Sequence, residues 1–285
     1  MTEPRLMPRA PLPTDSPLLA GLAEAALAAG LAIRRVEQEG FTPEEKADKS
    51  PVTKADREAE AIICDHLARL APSVPVIAEE ANAAGADVEP GLRFFLVDPL
   101  DGTREFLSGN GEYTVNIALV EDGLPVLGVV YAPALALLYA GRPGAAFRAV
   151  RAPGAPVDAQ DWQPIGCRRV PDGPLCVATS RSHGDLLTDA FVARHEVAEL
   201  IPAGSALKFG LVAEGKVDLY PRFGTVMEWD TAAGHALVNA AGGTVARTDG
   251  APLTYGHKDR GFKVNGFVAW GAGRAAGRTP GAAPG

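Results

Sequence analysis

Residues 94–106 read FFLVDPLDGTREF and carry the densest chemical signal in the chain. An apolar run typical of a buried strand ends there in two carboxylates, Asp98 and Asp101. A proline between them restricts the backbone, and Gly102, directly after Asp101, gives it conformational freedom again. Together with the Leu100 carbonyl, the two carboxylates form an all-oxygen ligand set suited to Mg²⁺. The same residues also fit two ordinary turns at a strand end, so this segment alone leaves both interpretations open.

Further acids stand at the ends of other predicted elements. Asp56 lies in the first turn of a predicted helix (53–70), and Glu79 follows a short apolar run. Asp230 begins an Ala-rich helix (230–241), where it is also a good N-cap. Taken singly, each acid is better explained as a solvated or helix-start charge. Because unpaired carboxylates are costly where apolar elements converge, the set as a whole predicts one shared cation site.

The order of the predicted elements indicates two differently built halves. Helical spacing recurs in 18–36 and 53–70, and short apolar runs between 74 and 140 predict a mainly antiparallel sheet. A Pro/Gly-rich passage, 142–174, is the candidate boundary, after which strands alternate with helices. The predicted divisions are a mobile tail (1–14), an N-terminal α+β domain with most of the acids (15–145), a C-terminal α/β domain (146–270) and a second mobile tail (271–285).

Charge and composition restrict the partners of the protein. The chain has 27 Lys and Arg against 35 Asp and Glu, a net charge of −8, which is the wrong sign for a groove that holds a nucleic-acid polymer. Three cysteines without paired or metal-ligand spacing favour a reducing compartment. The apolar stretch 17–33 contains Glu24 and runs into charged residues, which predicts an amphipathic helix rather than a signal peptide. We expect a cytoplasmic protein without a transmembrane segment, and leave open peripheral contact with the inner face of the membrane and homodimer formation.

Five segments, in this order, resemble the inositol monophosphatase superfamily of Mg²⁺-dependent, lithium-sensitive phosphatases. They are VTKAD (52–56), IAEE (77–80), FFLVDPLDGTREF (94–106), GEYTVNIALVEDGLPVLGVVYAP (111–133) and EWDTAAGHALVNAAGG (228–243). The segments TSRSH (179–183), GSALK (204–208) and DLYPR (218–222) are most similar to its 3'(2'),5'-bisphosphate nucleotidase branch. The resemblance implies an α/β fold, namely a layered α-β-α-β-α sandwich with an α+β N-terminal half, an α/β C-terminal half and the metals in the cleft between them.

The resemblance also implies a role for individual residues. Two or three Mg²⁺ ions would be held by Glu79, Asp98, the Leu100 carbonyl, Asp101 and Asp230, with Asp56 reaching the most weakly held ion. Glu79 and Thr103, assisted by Asp56, would orient a water activated by one ion while a second stabilises the leaving oxygen. Substrate contacts would come from Asp101, Gly102, Thr103, His183, Ser205, Lys208, Arg222 and Asp230. Position 104 departs from the family pattern because it is Arg where Lys is expected.

The implied activity is removal of the 3'-phosphate of adenosine 3',5'-bisphosphate, a reaction of sulfur metabolism, with the sulfonated nucleotide as a further candidate substrate. Inositol-1-phosphate hydrolysis is the enzymatic alternative, because it uses the same metals without a second-phosphate pocket. A non-catalytic regulatory protein that binds Mg²⁺ and a nucleotide is the alternative of another class. Without the resemblance, His183 fits a turn cap, Lys208 a solvated helix face and Arg222 a surface loop.

Overall fold

The computed structural model describes residues 13–45, 51–156, 158–182 and 184–274. The helices are α1 Pro17–Glu39, α2 Lys54–Leu70, α3 Glu79–Ala83, α4 Thr103–Ser108, α5 Leu186–Val192, α6 Leu207–Ala213 and α7 Glu228–Ala240. The strands are β1 Glu44–Glu45, β2 Pro51–Val52, β3 Val76–Ala78, β4 Arg93–Asp101, β5 Thr114–Glu121, β6 Leu124–Ala132, β7 Leu137–Arg142, β8 Ala145–Val150, β9 Gln163–Ile165, β10 Leu175–Ser180, β11 Val197–Ala203, β12 Leu219–Arg222, β13 Val226–Met227, β14 Thr244–Arg247, β15 Lys263–Val264 and β16 Phe267–Trp270. Short 3₁₀ turns occur at Pro13–Asp15, Pro133–Leu135, Ala159–Asp161 and Lys258–Arg260.

A seven-stranded sheet in the order β3-β4-β5-β6-β7-β8-β9 forms the N-terminal half. Its strands are antiparallel except for the parallel pair β3 and β4. In β5, Val115 and Ile117 face one buried cluster while Ala118 and Val120 face another, so both faces of the sheet are covered. Double coverage explains why β5 is an almost continuous apolar run.

Helices α1 and α2 pack together over one face of this sheet. Leu19, Leu22 and Ile33 of α1 join Ile63 and Leu67 of α2 in the cluster beneath them. By length and composition α1 is apolar enough to cross a membrane, yet 56% of its apolar window is buried inside the fold. The predicted amphipathic helix is therefore confirmed, and its apolar face belongs to the core.

Helices α6 and α7 form a middle layer between two sheets. On one side, α7 lies so close to the first sheet that a Cβ at Gly128 would stand 2.3 Å from the Ala233 carbonyl oxygen. On the other side lies a five-stranded sheet in the order β11-β10-β12-β16-β14. Phe191 of α5 packs with Val177 and Leu219 on the outer face of that sheet. The order of layers is α-β-α-β-α, which confirms the predicted fold.

Some element limits differ from those expected from sequence. The Pro/Gly-rich passage 142–174 contains β8 and β9, which extend the first sheet as far as Ile165. Secondary structure also lies within both predicted tails, since Pro13 opens a 3₁₀ turn and Ala272 forms a β-bridge with Arg169. Strands β8 and β9 are short, and their pairing depends on neighbouring strands that the local sequence does not reveal.

Candidate active site

A bulge in β4 brings Asp98 and Asp101 to the same face of the sheet. Asp98 pairs with Asn116 and Asp101 pairs with Thr114, so three steps along β4 match two steps along β5. Residues three apart in a regular strand would point to opposite faces, whereas residues opposite Thr114 and Asn116 share one face. Hydroxyl and amide groups of those two residues lie 3.5 and 3.4 Å from Oδ2 of Asp101. The bulge therefore builds a two-carboxylate cluster from the DPLD sequence.

The chain turns sharply at Gly102, immediately before α4. Gly102 has φ +87°, in the left-handed region that favours glycine. A Cβ at this position would lie 2.1 Å from Oγ of Ser205, which donates a hydrogen bond of 2.8 Å to the Asp101 carbonyl oxygen. Glycine is thus required here both by the backbone conformation and by the close approach of Ser205.

Asp56 connects the start of α2 to the start of α4. Its Oδ2 accepts hydrogen bonds of 2.7 Å from both the backbone N–H and the hydroxyl of Thr53, which caps the helix. Its other oxygen, Oδ1, lies 3.4 Å from the Thr103 hydroxyl, and that hydroxyl is 3.5 Å from the Leu100 carbonyl oxygen. One carboxylate oxygen is used for the fold and the other faces the cluster.

Glu79 is positioned by an acid that the sequence does not single out. Glu79 begins the short helix α3, and the next two backbone N–H groups, of Glu80 and Ala81, donate to the carboxylate of Glu60 at 2.7 and 2.8 Å. Glu60 is 8% exposed and lies in the middle of α2. It therefore attaches the start of α3 to α2 and holds the backbone that carries Glu79.

Asp230 reaches the cluster from the second half of the chain. The structure corrects its predicted N-cap position, because α7 begins at Glu228 and Asp230 lies in the first turn. Its Oδ2 accepts a hydrogen bond of 2.8 Å from the backbone N–H of Met227, so it still satisfies the helix start from inside the helix. Buried Glu228 likewise accepts hydrogen bonds from backbone N–H groups, those of Gly256 and His257, at 2.6 and 2.9 Å.

The carboxylates of this cluster are held close together away from water. Burial, followed by repulsion from Glu79, Asp101 and Asp230, raises the pKa of Asp98 well above its ordinary value. Burial and the charges of Asp101 and Glu79 raise the pKa of Asp230 in the same way. Burial raises the pKa of Asp101 to about 6, although Lys208 opposes the shift. Ionised carboxylates held this close together repel one another unless a cation lies among them.

The donor set fits Mg²⁺. All candidate donors are carboxylate or carbonyl oxygens, which is the ligand chemistry of a hard cation. Among the residues that the structure describes, no three acidic, histidine or cysteine side chains already cluster at the spacing of one ion's ligands. Mg²⁺ commonly takes one or two carboxylates and keeps several waters, so pairs drawn from this cluster suit it.

Cationic side chains also line this cleft. Lys208 of α6 is 3% exposed, and its ammonium donates to the carbonyl oxygens of Ala203 and Ser205 at 3.0 and 2.7 Å. This burial rules out the solvated helix face that the sequence alone allowed, and it lowers the pKa of Lys208 to about 8. Arg222, at the end of β12, lines this cleft of about 390 Å³ and also a neighbouring one of about 270 Å³. Ser180 lines both clefts as well.

The structure brings most of the predicted site residues together. The wall of the larger cleft includes Glu79, Asp101, Gly102, Thr103, Ser205, Lys208, Arg222 and Asp230. Asp98 is 1% exposed and lies beneath this wall, while Asp56 reaches it through Thr103. His183 lies outside the described residues. The sequence reasoning missed Glu60 and Asn116, and the one available signal was a polar residue within an otherwise apolar helix stripe or strand.

Comparisons with known proteins agree with this geometry. The inositol monophosphatase family matches residues 14–268. The 3'(2'),5'-bisphosphate nucleotidase CysQ of Escherichia coli K12 is 43% identical over 224 residues, which is 77% of this chain and 87% of the relative. CysQ of Salmonella typhimurium is 43% identical over 243 residues, or 83% and 94% of the two chains.

Solved structures give the same result. The crystal structure of CysQ from Bacteroides thetaiotaomicron matches with a TM-score of 0.73 and 36% identity, covering 91% of this chain and 97% of that one. The suhB protein of Bartonella henselae matches with a TM-score of 0.71 and 27% identity, covering 90% and 94%. On the evidence of sequence, fold and cleft, the chain belongs to the inositol monophosphatase family.

Proposed function

We propose that this chain is a Mg²⁺-dependent 3'(2'),5'-bisphosphate nucleotidase that converts adenosine 3',5'-bisphosphate to AMP and phosphate and also accepts the sulfonated nucleotide. Phosphatases of this family depend on Mg²⁺. The observation that carries the choice of substrate is the shape of the site, since the cleft with the acids adjoins a second cleft at Ser180 and Arg222. Inositol-1-phosphate has no second phosphate or base to occupy that space.

Mg²⁺ would be held by the acids of both halves of the chain. Glu79, Asp98, Asp101, Asp230 and the Leu100 carbonyl would supply ligands for two ions, and Asp56 would reach a third. The bound ions supply Lewis-acid chemistry, for which two-metal sites of this kind are suited. The role of the protein is to hold these oxygens in place, through the β4 bulge for Asp98 and Asp101 and through the first turn of α7 for Asp230.

Thr103 and Glu79 would orient the attacking water. The Thr103 hydroxyl lies between Oδ1 of Asp56 and the Leu100 carbonyl oxygen, two acceptors that can direct its lone pairs toward a water in the cleft. The first turn of α4 leaves backbone N–H groups that no carbonyl of that helix can reach, and these can donate to the scissile phosphate. Gly102 and Thr103 begin that turn.

Lys208 and Arg222 would bind the second phosphate. Both line the cleft that holds the acids, and a bisphosphate needs cationic groups for the phosphate that the metals do not hold. Ser205 has its hydroxyl committed to the Asp101 carbonyl oxygen, so its contribution is to place the turn that carries these groups. His183 stays a predicted substrate contact, and the cytoplasmic location stays a prediction.

A comparison of two substrates tests this function. We expect Mg²⁺-dependent phosphate release from adenosine 3',5'-bisphosphate with a higher kcat/KM than from inositol-1-phosphate, and loss of both activities in EDTA. A preference for the inositol ester would contradict the choice of substrate. Tight binding of the bisphosphate in calorimetry without turnover would instead favour a regulatory, non-catalytic protein.

Removal of Glu60 should weaken the response to Mg²⁺. In Glu60→Ala the backbone N–H groups of Glu80 and Ala81 lose their acceptor, and the start of α3, with Glu79, is no longer attached to α2. Changes to groups that orient a metal ligand typically cost about 10–100-fold in metal affinity or activity. We expect the Mg²⁺ concentration for half-maximal activity to rise at least about tenfold, with Glu60→Gln in between because its amide oxygen can still accept. An unchanged Mg²⁺ dependence in Glu60→Ala would contradict this role.

Substrate binding should weaken in alkaline solution because of Lys208. Burial lowers the pKa of Lys208 to about 8, so its ammonium loses its proton as the pH rises through that value. The attraction to phosphate is therefore present below that pKa and lost above it. We expect kcat/KM for the bisphosphate to fall above pH 8, and Lys208→Met to have a low kcat/KM without that inflection. An identical pH profile in Lys208→Met would show that Lys208 is not the titrating group.

A further inference from the structure

An ion pair at the rim of the cleft joins the two halves of the chain. Arg181, directly after β10, donates from Nε and Nη2 to the two carboxylate oxygens of Glu112 at 2.6 and 2.8 Å. Glu112 precedes β5 of the first sheet, 69 residues away in sequence. These hydrogen bonds hold the pKa of Glu112 below its ordinary value, so the carboxylate is charged at neutral pH. This bidentate geometry is the strong form of an Arg–carboxylate ion pair.

Both partners also bind the backbone at the end of β11 and in the turn that follows it. Arg181 donates from Nη2 to the Pro202 carbonyl oxygen at 2.9 Å. Its backbone N–H donates to the Ala203 carbonyl oxygen at 3.2 Å. The backbone N–H of Gly204 donates to Oε2 of Glu112 at 2.8 Å. A Cβ at Gly204 would lie 2.6 Å from the Glu112 carbonyl oxygen. We refer to Glu112, Arg181 and Gly204 as the rim clamp.

The rim clamp holds the wall that separates the two clefts. Ser180, the neighbour of Arg181, lines both of them. The next residue, Ser182, donates its hydroxyl to the buried carboxylate of Glu105 on α4. The buried ammonium of Lys208 binds the same backbone segment by donating to the carbonyl oxygens of Ala203 and Ser205. Without the clamp, the outer side of this wall loses its charged attachment to the first sheet.

We propose that Glu112 is a positioning residue for substrate binding, which acts through Arg181 and Gly204 to hold the wall between the two clefts and thereby lowers KM for the bisphosphate. This inference rests on the proposed function. Glu112 is not among the residues that line the cleft with the acids, and the hydrogen bond from Ser205 to the Asp101 carbonyl oxygen does not involve it. Its loss should therefore appear in KM and not in kcat.

The sign of the effect separates positioning from simple electrostatics. Glu112→Gln removes a negative charge beside a cleft that accepts a polyanion, so charge alone would lower KM. Loss of the clamp would raise KM. Arg181→Lys keeps the positive charge but loses the planar fork that bridges both carboxylate oxygens, so positioning again predicts a higher KM.

Steady-state kinetics of the 285-residue chain test the proposal. We expect Glu112→Gln and Arg181→Lys to raise KM for adenosine 3',5'-bisphosphate about five- to tenfold, with kcat within about twofold of the wild type. The matched control is Glu121→Gln, which breaks an exposed pair with Arg93 (3.0 Å) at the opposite end of β4 and β5, and should leave both constants unchanged. An unchanged or lowered KM in Glu112→Gln, or a fall in kcat at constant KM, would overturn the proposal.

Hydrogen exchange supplies a readout that needs no turnover. The Gly204 amide should exchange faster in Glu112→Gln than in the wild type, because its acceptor is weakened. Equal exchange in the two proteins would also overturn the proposal. If the wild type fails to hydrolyse the bisphosphate, the proposed function is wrong, and the exchange of Gly204 then decides whether the clamp exists.

Discussion

Asp98→Asn is expected to abolish phosphate release while making the metal-free protein more stable. Asp98 is 1% exposed, and burial with three neighbouring carboxylates raises its pKa well above the ordinary value. Asparagine keeps an oxygen for the 3.0 Å hydrogen bond from the Leu100 N–H but removes a charge that the fold holds at a cost. We expect kcat to fall at least about a thousandfold, on the order of 4 kcal/mol, because Mg²⁺ loses a charged ligand.

The stability effect has a defined sign and pH range. The folded-state pKa of Asp98 is raised, so the folded protein prefers the protonated acid and loses stability as the pH rises from the unfolded-state value through the folded one. Above that range, in EDTA, Asp98→Asn should raise Tm by about 2–4 °C for each kcal/mol gained. Mg²⁺ should raise the Tm of the wild type more than that of the variant, which keeps the other proposed ligands. A variant with lower metal-free Tm and normal activity would show that Asp98 has a structural role alone.

Gly102→Ala is expected to damage both folding and catalysis. The left-handed conformation at φ +87° costs an alanine about 1–2 kcal/mol, and its Cβ would stand 2.1 Å from Oγ of Ser205. Relief of this clash must move either Ser205 or the turn that carries Asp101 and Thr103. A displacement of about 1 Å at reacting groups can cost about a hundredfold in rate, so we expect a loss of kcat of that order.

The control for Gly102→Ala lies at the other end of the same helix. Gly109 ends α4 at φ +69°, and nothing lies within 4 Å of the position of its Cβ. Gly109→Ala therefore introduces comparable backbone strain without a clash in the site. We expect both variants to lower Tm, measured by calorimetry, and Gly102→Ala alone to lose activity. Equal activities in the two variants would mean that the contact between Gly102 and Ser205 is not needed for catalysis.

Local sequence indicated the candidate acids but not their arrangement. Apolar runs that lead into Asp98, Asp101 and Glu79 indicated acids at the ends of strands, and the resemblance supplied the order of layers. The bulge that turns Asp98 and Asp101 to one face depends on the register with Thr114 and Asn116 of the next strand. Strand register is a tertiary property, so the segment alone left a turn and a metal site equally open.

Long-range contacts explain what the sequence left out. Lys208 resembled a solvated helix residue, but the turn at 203–205 covers it. The sequence analysis singled out neither Glu60 nor Glu112, whose partners are backbone N–H groups 20 and 92 residues away. A polar residue within an apolar stripe can indicate that such an acid is buried, but only the assembled fold shows which N–H groups it accepts from.

Phosphorus NMR of one reaction tests the central claim most directly. Adenosine 3',5'-bisphosphate is incubated with the wild-type protein and Mg²⁺, and the two ester resonances are followed with time. We predict loss of the 3'-phosphate resonance, equimolar growth of inorganic phosphate and a persistent 5'-phosphate, with no change in EDTA or with Asp98→Asn. Loss of the 5'-phosphate instead, or an unchanged bisphosphate beside rapid hydrolysis of inositol-1-phosphate, would contradict it.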